Sequence, residues 1–194
     1  MNFRDYQQLA LKTEMLTYDD VAKRILMKNR LRLLHGIYIN SEIKELEDAI
    51  NNADQINIIE EVGDCAWYIN LMNDYFQVIE KKTINLDYVI EKPANLQDLT
   101  IIKQKAALIE DNFKKVVYYN KFLDIDKNFI EPLQELYNEF KNQFGDIWEE
   151  ALSKNIEKLK KRYPDKYKDD KANNRDLQAE YEVLKQSYSK KYDK

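Results

Sequence analysis

Two acidic pairs have spacing that could do chemistry. Glu42 and Glu45 are three residues apart, and so are Glu61 and Asp64. On a helix, that spacing puts both members of a pair on one face. Only a short loop, NNAD at 51–54, separates the two segments, so the helices that carry them are predicted to be antiparallel neighbours. If those faces meet, four carboxylates share one small volume. Such a group needs protons or a cation to offset its repulsion. Oxygen donors select Mg²⁺, Mn²⁺ or Ca²⁺ over zinc, and a single histidine, His35, gives no supporting soft-ligand cluster.

Spacing alone is weak, because Asp and Glu number 35 in this chain and such pairs also arise on solvated faces. The surroundings of the second pair add weight. In EEVGDCAWYINL, residues 60–71, the acids run straight into the most apolar stretch of the chain. Gly63 lies between them, at a cost of about 1 kcal/mol relative to alanine inside a helix. A glycine there predicts close approach of a partner helix or a ligand. Glu60 is expected to turn away from a metal or to support it from behind.

The elements that must position these residues read as helices. Short amphipathic helices are predicted at 3–14 and 19–35. A third gains helical spacing from Ser41 and runs to 51. A fourth spans 56–80, with Ile59, Val62, Ala66, Ile69, Met72 and Phe76 along one face and Cys65 in its core. Residues 83–99 are less regular, and Pro93 argues against a continuous helix there. Helices follow at 100–120 and 131–143, the latter with Pro132 in its first turn. Gly145 marks a stop, and Asp146 with Glu149 has capping-box spacing for a helix that ends before Pro164. The charged tail at 164–194 keeps a weak stripe of Leu177, Tyr181, Leu184 and Tyr188. The predicted fold is all-α: a helical bundle forming one domain over 1–163, enlarged at 80–150, with a charged extension at 164–194.

Composition narrows the function classes. The 194 residues are 44% hydrophobic and 34% charged, with three glycines and three prolines, which favours helices over sheets. A net charge of −4 argues against a basic nucleic-acid-binding surface. The N-terminus lacks the apolar core of a signal peptide, and no window approaches the roughly 18 apolar residues of a membrane span. One cysteine suits a reducing compartment. The expectation is a soluble, cytoplasmic protein with no nucleic-acid or membrane partner.

SEIKELEDAI followed by NIIEEVGDCAWYINLM resembles the MazG-like, all-α nucleoside triphosphate pyrophosphohydrolases. The shared pattern is E-x-x-E, a gap, then E-x-x-D, here Glu42 and Glu45, fifteen residues, then Glu61 and Asp64, with Gly63, Trp67 and Tyr68 in place. YQQLALKTE near the N-terminus is similar to the opening helix of small members. NIEKLKKRYPDKY matches a C-terminal N-x-x-K-L-x-x-R-YP element through Asn155, Lys158, Arg162, Tyr163 and Pro164. The likeness covers residues 3–77 and 152–176, and residues 80–150 exceed what a minimal member needs.

The resemblance implies a hydrolase that cuts a nucleoside triphosphate between its α and β phosphates, releasing the monophosphate and pyrophosphate. It implies Mg²⁺, with Mn²⁺ as a substitute, held by Glu42, Glu45, Glu61 and Asp64. Glu45 and Glu61 are the candidate catalytic carboxylates, Glu45 as the base that takes a proton from water. Lys158, Arg162 and Tyr163 are candidate substrate ligands, with Tyr68 as a base-stacking ring and Lys115 in a second phosphate patch. A homodimer or homotetramer is the expected assembly. Two alternatives stay open. The same scaffold could act on dUTP- or dCTP-type nucleotides or on the alarmone ppGpp. Alternatively, the chain is a non-catalytic helical interaction protein, whose acids would be scattered rather than converging.

Overall fold

The computed structural model describes residues 35–88, 94, 97–162 and 176–192. Its elements are α1 (His35–Asn51), α2 (Gln55–Tyr75), α3 (Thr100–Val117), α4 (Glu131–Phe144), α5 (Trp148–Arg162) and α6 (Leu177–Tyr192). There is no strand among the described residues, so the chain is all-α there. The helices expected at 3–14 and over nearly all of 19–35 lie outside the described residues, as does Tyr163. No helix among the described residues is long and apolar enough to cross a membrane.

Helix α1 begins six residues before Ser41. Its buried stripe starts earlier than the spacing suggested, with Ile39, Ile43, Leu46 and Ala49 turned inward. Gly36 belongs to the same face: a Cβ there would meet Ile109 at 3.0 Å and the Met72 sulfur at 3.3 Å. The isoleucines of GIYIN look alternating in sequence but wind into the helix because Ile39 extends that stripe. Ala53, in the left-handed region at φ 52°, turns the chain. Asp54 then caps α2 by accepting a hydrogen bond from the Asn57 amide at 3.2 Å.

Helix α2 is the centre of the bundle. It packs against α1, α4, α5 and α6. Its buried residues, among them Ile58, Val62, Cys65, Ile69 and Met72, lie on more than one face, as a helix covered on several sides requires. A π-helical turn at Phe76–Glu80 continues it, and Lys81 ends the run at φ 57°.

The following connection is held by polar side chains. Buried Asn73 accepts from Thr83 Oγ1 at 2.9 Å and from the Ile84 amide at 3.0 Å, and Tyr137 donates its hydroxyl to the Leu86 carbonyl at 2.6 Å. Helices α3 and α4 share the main core with α1 and α2. Phe113, Phe129, Phe140 and Phe144 join Phe76 in one apolar cluster. The long middle of the chain is therefore part of the wall behind α1 and α2. Of the tail's expected stripe, Leu184 is buried, while Leu177 and Tyr181 are exposed.

Candidate functional site

Helix α2 has two acidic faces. Toward α1, Glu61 meets Glu42 and Glu45. One carboxylate oxygen from each of the three lies within 4.8 Å of the others. Glu45 is exposed and Glu42 half-buried, but Glu61 is only 8% exposed and its Oε2 has no hydrogen-bond partner. A buried, unpartnered carboxylate oxygen is costly, and such a group needs a ligand or a proton.

The electrostatics follow from that crowding. Burial, then the charges of Asp64 and Glu45, push the Glu42 carboxyl up to about 7. Burial, then Asp64, Glu60, Glu45 and Glu42, push Glu61 up to about 9. At neutral pH and without a cation, Glu61 therefore holds its proton. Cys65 behind them is fully buried, and burial followed by the same acids raises its thiol well above its ordinary range. It is an inert core residue, as expected.

The residues fit a hard divalent cation. Three carboxylate oxygens converge, all of the donor class that Mg²⁺ and Mn²⁺ prefer, and one of them is buried without a partner.

The other acidic face of α2 turns toward α5, and Gly63 is why the helices meet so closely. A Cβ at Gly63 would sit 2.8 Å from the Ala151 carbonyl oxygen and 2.9 Å from the Asn155 Cβ. That contact brings α5 side chains onto Asp64. Asn155 Nδ2 donates to Asp64 Oδ1 at 2.5 Å, and Lys158 Nζ donates to Asp64 Oδ2 at 2.5 Å and to Glu60 Oε1 at 3.0 Å. Lys158 is only 2% exposed. Burial alone would lower its pKa, but the charges and hydrogen bonds of Asp64 and Glu60 outweigh burial and raise it. The ammonium stays charged.

Asp64 is thus the one predicted metal ligand outside the three-carboxylate group. It sits beside that group, since it is the leading charge acting on both Glu42 and Glu61, but its oxygens are engaged with Asn155 and Lys158. Tyr68 is close by. Its half-buried ring lies 6.3 Å from Tyr38 and 5.0 Å from Trp67, and burial, then Glu42 and Asp64, raise its hydroxyl to about 12.

Two other candidates are occupied elsewhere. Arg162 donates Nε and Nη2 to the two oxygens of Glu180 on α6, at 2.9 and 2.5 Å. Lys115 on α3 pairs with Asp111 at 2.6 Å, and its ammonium also reaches Asn112.

Two residues, Asn155 and Glu180, escaped the sequence reading of the site, and Glu60 was read only as an acid that turns away from a metal or supports it from behind. Asn155 had a signal, three residues before Lys158 in the motif, but no role was assigned to it. Glu180 had none, and the pairing of Glu60 with Lys158 had none either, because the lysine and arginine partners come from other helices and nothing in local spacing encodes the pairing. A cavity of about 400 Å³ adjoins this face of α2, walled by Gly63, Trp67, Trp148, Leu152, Asn155 and Ile156 among others. No family model, curated protein or solved structure matches this chain.

Proposed function

We propose that the chain is a Mg²⁺-dependent nucleoside triphosphate pyrophosphohydrolase. The observation that carries this reading is the convergence of Glu42, Glu45 and Glu61 around an unpartnered, buried Glu61 oxygen. The motif resemblance supports the choice of reaction. A solvated acidic face, as a pure interaction protein would carry, gives no reason to bury Glu61.

Glu42, Glu45 and Glu61 would hold the cation. When bound, Mg²⁺ supplies Lewis acidity and offsets phosphate charge. The protein's own groups do the rest. Lys158 adds a fixed positive charge at the edge of the acids, where a polyphosphate would lie. Tyr68 offers a ring beside Glu42 for the nucleoside. Glu45, the exposed member of the group, is the carboxylate with access to solvent water and takes its proton. The water oxygen bonds to phosphorus, the anhydride bond between the α and β phosphates breaks, and pyrophosphate leaves. Arg162 joins the substrate only after Glu180 releases it.

The test is pyrophosphate release from a panel of ribo- and deoxyribonucleoside triphosphates, with and without Mg²⁺, for the wild type and Glu61→Gln. The expected result is Mg²⁺-dependent release of pyrophosphate and monophosphate, lowered at least about 100-fold in the variant, since even residues behind a metal's ligands cost 10- to 100-fold. Release of orthophosphate, or no release from any nucleotide, overturns the reading.

A further inference from the structure

Lys158 carries one charge but has two carboxylates as hydrogen-bond acceptors, Asp64 and Glu60. One would neutralise it. The second leaves this face of α2 with a surplus negative charge. The two acceptors are not equivalent. Asp64 is also held by Asn155 and is the leading charge on both Glu42 and Glu61, whereas Glu60, among the described residues, accepts from Lys158 alone, at 3.0 Å against 2.5 Å for Asp64. Asp64 therefore borders the three-carboxylate group, and Glu60 is the second acceptor that holds the lysine. A buried ammonium stripped of its acceptors is heavily penalised. Lys158, at 2% exposure, could not give up Asp64 without another carboxylate in place.

We propose that Glu60 is a positioning residue that holds Lys158 in the site and so frees Asp64 to turn toward a divalent cation bound by Glu42, Glu45 and Glu61. This rests on the metal-dependent reading above. The acidic group has independent support as a ligand site in the unpartnered Oε2 of Glu61, whose side chain is more than nine-tenths buried. In this arrangement Asp64 alternates between the ammonium and the cation. Glu60 is the constant partner, and Asn155 steadies the other Asp64 oxygen.

Mn²⁺ binding, followed by calorimetry without nucleotide, tests this in the wild type, Glu60→Gln, Lys158→Met and the double variant. Glu60→Gln should weaken Mn²⁺ binding about tenfold, the size expected of a residue behind a metal's ligands. In the Lys158→Met background the same change should cost less than about twofold, because Glu60 then has no lysine to hold. Glu60→Gln binding like the wild type, or losing equally in both backgrounds, overturns the inference and leaves the metal reading standing. A wild type that binds no Mn²⁺ overturns both.

Should Lys158→Met fail to fold, acetylation of Lys158 read by mass spectrometry decides. Lys158 should stay protected in the wild type with and without Mn²⁺. In Mn²⁺-saturated Glu60→Gln it should label about tenfold faster. Unchanged protection in Glu60→Gln, or exposure of Lys158 in the wild type on adding Mn²⁺, overturns the proposal.

Discussion

Toward α1, helix α2 presents Glu61 to Glu42 and Glu45, and among the described residues none of the three forms an ion pair with a lysine or arginine. Toward α5, the same helix presents Glu60 and Asp64 to a buried lysine and an asparagine that satisfy them. Both faces crowd carboxylates at the edge of one core. The second carries its own cation. The first leaves buried carboxyls facing one another, and burial, then repulsion, pushes two of them up to about 7 and about 9. A paired face is held by structure, whereas an unpaired one is held at a cost that a ligand can relieve.

The sharpest way to break this comparison is to replace one acid on each face by its amide and measure metal-free stability at neutral pH. Asp64→Asn removes the charge from a hydrogen bond to a buried ammonium and should lower stability by about 2 kcal/mol, within the range for bonds to charged groups. Glu61→Gln replaces a carboxyl that already holds its proton at neutral pH and that forms no ion pair among the described residues, so denaturant unfolding should show no loss, or a small gain. Equal losses from both variants would erase the distinction between the faces.

The pH dependence sharpens it further. Glu61 and Glu42 ionise near 4.5 when unfolded, but in the folded chain they hold their protons to about 9 and about 7. The folded state therefore binds more protons than the unfolded state across that window. Metal-free stability should fall as pH rises from about 4.5 to about 9, with the share of Glu42 lost by about 7. Each group contributes at most about 1.4 kcal/mol per pH unit. Thermal unfolding across that range checks this. Mg²⁺ should flatten the slope, and Glu61→Gln should remove its upper part.

The smallest effect concerns the contact that builds the paired face. Gly63→Ala gains helix propensity but drives a Cβ to within 2.8 Å of the Ala151 carbonyl oxygen. Overpacking of this kind costs about 1–3 kcal/mol, against about 1 kcal/mol gained. A net loss of about 1 kcal/mol is expected in denaturant unfolding. A stabilised variant would mean that α5 sits farther from α2 than the structure has it.

The two faces also differ in how far sequence reveals them. The meeting of Glu42, Glu45 and Glu61 was legible only as a conditional, because spacing and a short loop favour antiparallel neighbours without fixing which faces touch. Gly63 was readable as a close approach, since its cost inside a helix asks for a compensating contact. The start of α1 was not readable, because Ile37 and Ile39 fit two periods and only their burial decides between them, with Ile39 fully buried and Ile37 half-buried. Nor were the engagements of Asp64 with Lys158 and of Arg162 with Glu180. Both pair a charge with a partner far along the chain, and a helix in a sequence rich in acids and lysines offers many equally plausible partners. The tail's weak apolar stripe is followed in part, with Leu184 buried. Glu180 is buried on α6 while Leu177 is exposed, because Arg162 draws the acid inward.

The central claim is that the unpaired face of α2 is a divalent-cation site. Its most direct test is crystals of the protein soaked in Mn²⁺ and measured for anomalous scattering. The account predicts a strong peak bridging the carboxylates of Glu42, Glu45 and Glu61. A peak elsewhere, or none at saturating Mn²⁺, would contradict it.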